Sequence, residues 1–75
     1  MLEYKGFNDY RVEVYKDDSI LGTFGYISNL WFLSLWLNIH FLYHNWTSIK
    51  VYHRLSDTFI QQYSREGAIP AKPKI

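Results

Sequence analysis

The sequence predicts an α+β domain in ββαββ order: two β-hairpins forming a four-stranded antiparallel sheet, with one long helix packed across one face. Three observations predict it. Residues Tyr10–Lys16 and Ser48–His53 alternate apolar and polar side chains with the period of two of a half-buried strand. Each run is followed by turn-forming residues and a second β-prone run. Between the two hairpins, apolar residues recur at helical spacing.

The first hairpin reads Tyr10–Lys16, a turn at Asp17, Asp18 and Ser19, and a return strand from Ile20 to Ile27. Gly22 and Gly25 in that strand mark a bulge or a close backbone approach. The second hairpin reads Ser48–His53, a turn at Leu55, Ser56 and Asp57, and a return strand from Thr58 to Arg65. Val12-Glu13-Val14-Tyr15 and Ile49-Lys50-Val51-Tyr52 share a pattern at an offset of 37 residues, a weak signal of duplication that β-propensity alone also produces. Residues 1–66 form one small domain. Residues 67–75, with two prolines and no periodicity, read as a flexible tail.

Ser28 to Trp46 is the predicted helix, with Ser28 or Asn29 as its N-cap. At 100° per residue, Phe32, Leu35, Trp36, Ile39, Leu42, Tyr43 and Trp46 share one face, which is expected to lie on the sheet. Leu30, Leu33, Leu37 and Phe41 lie on the opposite face, interleaved with Ser34, Asn38, His40, His44 and Asn45. A solvent-facing helix normally carries Lys and Glu there.

None is present. From Ser19 to Ile49 the chain runs 31 residues without Asp, Glu, Lys or Arg, and this stretch holds all three Trp and eight of the fifteen aromatic residues. So much apolar area requires a core, a lipid phase or another protein. A membrane span is opposed by the five polar side chains inside the helix and by hairpins on both flanks that belong to one sheet. A peripheral membrane contact through the second helix face is conceivable and not favoured.

Composition narrows the chemistry. With 75 residues the chain sits near the lower size limit for a self-sufficient core, and small domains commonly gain stability by oligomerising. The absence of Cys excludes disulfides and thiolate metal sites, and it fits the reducing cytoplasm. No apolar leader is visible between Met1 and Tyr10. A net charge of +1 gives no broad nucleic-acid footprint.

No phosphate loop, Ser-His-Asp order or nucleophilic Cys is present, so neither an enzyme nor a cofactor is expected. Asp17 and Asp18 are turn residues. His40 and His44 have the i,i+4 spacing of paired zinc ligands, but the intervening Phe-Leu-Tyr supplies no catalytic Glu, and no metal is expected. As neutral imidazoles in an apolar contact, they would make association weaken in acid. Asn45-Trp46-Thr47 matches a glycosylation sequon at a helix end.

The expected function is that of a small non-enzymatic interaction module, an adaptor, inhibitor or accessory subunit. It docks through the apolar helix face onto a second copy of itself or a larger protein. The expected contact residues are Leu30, Leu33, Leu37, His40, Phe41 and His44. The alternative is a single-stranded nucleic-acid binder using the outer sheet face through Tyr15, Lys50, Tyr52 and Arg54.

Overall fold

Alternation of β-branched and polar residues places Val12 and Val14 of β1 (Tyr10–Lys16) on the same sheet face as Ile49 and Val51 of β3 (Ser48–His53). In the computed structural model, which describes residues 10–73, these two strands pair antiparallel at the centre of the sheet. Their register sets Val12 opposite Val51, Val14 opposite Ile49, and Glu13 opposite Lys50. Strand β2 (Ser19–Ile27) flanks β1 and β4 (Phe59–Ser64) flanks β3, giving the order β2-β1-β3-β4. With α1 (Leu30–Ile39) between the hairpins, the order is ββαββ, an α+β fold. The first nine residues of the expected domain and the last two of the expected tail lie outside the described residues.

The 37-residue offset in the sequence coincides with this register. Val12 and Ile49 are equivalent under the offset, and each pairs with the other's second valine, Val51 and Val14. Turns match their chemistry. Asp17 has φ 54° and Asp57 has φ 60°, a left-handed conformation that Asp tolerates better than bulkier residues. Register shifts interrupt β2 in two places and β4 in one, so all three irregularities fall in edge-strand pairings. Irregular, twisted edges discourage strand addition from other chains.

Helix α1 is capped by Asn29, whose Oδ1 accepts the Phe32 N–H at 2.8 Å. It is shorter than the sequence predicts and it presents the other face. Leu30, Leu33 and Leu37, expected to face outward, are buried against Val12, Val14, Ile49 and Val51. Phe32, Leu35 and Ile39, expected on the sheet, are exposed, as is Leu42 in the following turn; Trp36 and Tyr43 are half-buried at the flank, and Trp46 is buried. Both faces have apolar residues at i, i+3 and i+7, so periodicity does not choose between them. Fit does. Leu30, Leu33 and Leu37 form one core cluster with the valines and isoleucine of the sheet, with Ser34 buried beside them, while the bulkier Trp36 is left at the flank. Ser34 is the polar residue of that buried face, and its Oγ donates to the Trp31 carbonyl at 2.6 Å.

The helix stops at Ile39, about 15 Å from its start, where the His40 side chain takes over the local hydrogen bonding by accepting the Leu42 N–H at Nδ1. His40 adopts an extended conformation, a single turn follows, and the Thr47 N–H donates to the Tyr15 carbonyl at 2.7 Å, delivering the chain to β3. The described part of the segment expected as a flexible tail lies against the domain. Ile69 packs against the core, Pro73 is buried, and the Ala71 carbonyl accepts the Leu30 N–H at 2.8 Å. The tail thereby satisfies an N–H that has no partner within the helix.

Candidate docking face

Turning the leucines inward leaves Trp31, Phe32, Leu35 and Ile39 on the outward side of α1, all exposed. Phe41 and Leu42, in the turn that follows, are exposed as well. Successive positions 31, 35 and 39 recur every four residues, so these side chains are neighbours on the helix surface. Neither the first turn carries an acidic residue nor the last a basic one.

An aromatic flank borders this face. Phe24 of β2 meets Trp36 edge-on at 5.6 Å and Tyr43 at 5.4 Å. Gly22 permits it: a Cβ there would stand 3.1 Å from Tyr43 Cε1, so the missing side chain is what lets the ring lie on the strand. His40 lies 4.4 Å from Trp36 and stacks on Phe41 at 5.1 Å. Its Nδ1 accepts the Leu42 N–H at 3.1 Å, a local bond that holds the turn after the helix. Between Phe24, Tyr26 and Ile27 on one side and Phe32, Leu33 and Trp36 on the other runs an open apolar cleft of about 310 Å³.

Of the six expected contact residues, the structure brings only Phe41 and His44 to the surface and leaves His40 half-buried; Leu30, Leu33 and Leu37 are core. Trp31, Phe32, Leu35, Ile39 and Leu42 take their place. The sequence carried one signal for this exchange, which is Ser34: a small hydroxyl side chain can bond back to its own helix and be buried, so it does not mark a wet face. His40 and His44 do not share a continuous helix, and no cluster of three metal-ligating side chains occurs among the described residues.

The other sheet face gathers Arg11, Glu13, Tyr15, Lys50 and Tyr52, all half-buried. Arg11 donates to Glu13 Oε2 at 2.7 Å and through Nε to Asp57 Oδ1 at 2.9 Å, while the Tyr15 hydroxyl donates to Glu13 Oε1 at 2.9 Å. Burial pushes the Glu13 carboxyl up, but the hydrogen bonds from Arg11 and Tyr15 and the charges of Arg11 and Lys50 outweigh it and hold the group below its ordinary value. The bond to Glu13 raises the Tyr15 hydroxyl correspondingly. Each tyrosine has a cation of its own sheet against its ring: Lys50 lies 4.9 Å from the Tyr15 centroid and Arg11 lies 4.2 Å from that of Tyr52. Arg54, beyond the end of β3, stands 4.6 Å from the exposed Tyr26 ring. The four residues named for nucleic-acid binding are thus spread over two places, and a carboxylate sits among the main group.

Fold and site together define a small α+β domain with an apolar helix face left uncovered. Against known proteins the chain matches no family model, no curated protein and no solved structure. Among the described residues no helix is long and apolar enough to cross a membrane.

Proposed function

We propose that this protein is a small non-enzymatic interaction module, an adaptor, inhibitor or accessory subunit, that docks through the outward face of α1 onto itself or a larger protein. One observation carries the reading: Trp31, Phe32, Leu35 and Ile39 are exposed together on one side of α1, with exposed Phe41 and Leu42 just beyond its end and an open apolar cleft beside Phe32. Surface leucines scattered singly need no explanation, but a contiguous patch of this kind marks a contact site. Buried aromatic and aliphatic anchors dominate the energy of such contacts. The absence of Cys supports work in the cytoplasm.

The nucleic-acid alternative has less support, because the tyrosine rings and the cations of the outer sheet face are already engaged with one another. The test is a photo-crosslinking amino acid at Leu35, in cells expressing the protein at its natural level, against the same group at exposed Asp18. Protein adducts are expected from position 35 alone. No adduct there overturns the reading, and binding of a labelled single-stranded oligonucleotide that is lost on changing Tyr15 and Tyr52 to Ala would favour the alternative.

A further inference from the structure

We propose that the partner on this face is a second copy of the chain, with the two α1 helices antiparallel across a two-fold axis that passes beside Leu35. The proposal rests on the docking role of the face and names its occupant.

Area is the first argument. Phe32, Phe41 and Ile39 are 64, 77 and 83 % exposed, and Trp31, Leu35 and Leu42 lie between 43 and 61 %. With about 150–250 Å² per aromatic side chain and somewhat less for Leu and Ile, the six leave on the order of 700 Å² of apolar surface. That exceeds the roughly 300–600 Å² of the largest patch on a typical monomer. It matches the ~800 Å² that each partner contributes to a standard interface.

Charge is the second. A residue at a two-fold axis meets its own copy, so any charge there faces a like charge. The chain carries no Asp, Glu, Lys or Arg from Ser19 to Ile49, which removes that penalty from the whole helix and its flanks. A surface selecting a different protein ordinarily uses complementary charges for steering and discrimination. An interfacial membrane helix ordinarily carries Lys or Arg on its polar side. Neither kind of charge is present on α1.

Shape is the third. Leu35 lies near the middle of Leu30–Ile39, a helix about 15 Å long. Antiparallel pairing about Leu35 sets Trp31 of one copy against Ile39 of the other, a large ring against a smaller aliphatic, twice across the axis. Parallel pairing would stack the rings at one end and leave the aliphatics at the other. Burial across the axis also enlarges the core of a domain near the lower size limit.

The test is light scattering after size exclusion at ~50 μM, where a micromolar complex is largely formed. The wild-type chain should elute at twice its 9.1 kDa. Leu35→Lys and Ile39→Lys should each return it to a single chain, weakening association about a hundredfold or more. Both positions are exposed on the monomer, and circular dichroism checks that each variant keeps its fold. Because the chain has no Cys, Leu35→Cys should form an intermolecular disulfide under mild oxidation while Asp18→Cys does not. A monomeric wild type, or a dimer that persists in both Lys variants, overturns self-association. If the position-35 crosslinker then captures a different protein, the docking reading stands without self-association. If it captures none, both fail.

Discussion

The indole Nε1 of Trp46 donates a 2.8 Å hydrogen bond to Oδ1 of Asn38, joining the loop before β3 to the last turn of α1. Trp46 is fully buried, so its N–H has no water to turn to. The Arg65 guanidinium closes the same region by donating to the His44 and Trp46 carbonyls at 2.6 and 3.2 Å. Replacing Asn38 with Leu leaves the indole N–H buried and unpaired, at a cost of about 1–3 kcal/mol. Thermal unfolding should show a Tm lower by roughly 4–8 °C per kcal/mol for a domain of this size. An unchanged Tm would mean that the indole finds another acceptor.

Gly22 and Gly25 sit three residues apart in β2 and should respond oppositely to substitution. A Cβ at Gly22 meets the Tyr43 ring at 3.1 Å, and Phe24, Trp36 and His40 stand around that ring and limit its retreat. Gly22→Val should cost about 1–3 kcal/mol as an overpacked site. A Cβ at Gly25 meets nothing within 4 Å and its φ is not positive, so Gly25→Ala should be neutral or stabilising by up to about 1 kcal/mol. Urea unfolding of the two variants side by side distinguishes a steric requirement at position 22 from a general intolerance of β2.

The segment after β4 contributes to the fold. Ile69 packs on the core and the Ala71 carbonyl takes the Leu30 N–H. Ile69→Ala should destabilise by about 1–2 kcal/mol, less than a full core truncation because the residue is half-buried. A chain ended after Gly67 should lose more, since the helix N-terminus then also loses its acceptor. Amide exchange at Leu30 is the direct readout, and it should accelerate on truncation.

Acid should weaken the sheet through Glu13. Its carboxyl is held below its ordinary value in the folded state, so the stability it adds is fully present above the unfolded pKa and disappears as pH falls through the folded pKa. Glu13→Gln should therefore flatten the acid side of the stability profile while leaving a smaller difference between variant and wild type at low pH than at neutrality. Unfolding free energies from pH 7 down to pH 3 measure this, and parallel profiles would dissociate Glu13 from the acid response.

Strand positions were legible because a strand offers only two faces. In Val12-Glu13-Val14 and Ile49-Lys50-Val51, one face is β-branched and the other charged, so alternation and orientation are read together. The helix start was legible to within a residue, with Ser28 and Asn29 both offered as caps; Asn29 fills the role through the Phe32 N–H. The helix face was not legible, because the charge-free stretch supplies two apolar stripes of the same period. The candidate face inherited that ambiguity: of the residues expected to point outward from the helix, Phe41 and His44 are exposed and the three leucines are not.

The sequence by itself determined the ββαββ order, the extents of the strands to within a residue or so, the turns and the helix start, and the presence of more apolar helix surface than one sheet can cover. Local hydrogen bonding and alternation set all of these within short stretches of chain. Tertiary structure decided which leucines became core, where the helix stopped, and that the tail lies against Leu30. Those outcomes depend on how Leu30, Leu33, Ser34 and Leu37 pack with Val12, Val14, Ile49 and Val51, and on contacts between segments distant in sequence. Fit between surfaces distant in sequence leaves no periodic trace, and it is what left Trp31, Phe32, Leu35 and Ile39 facing outward.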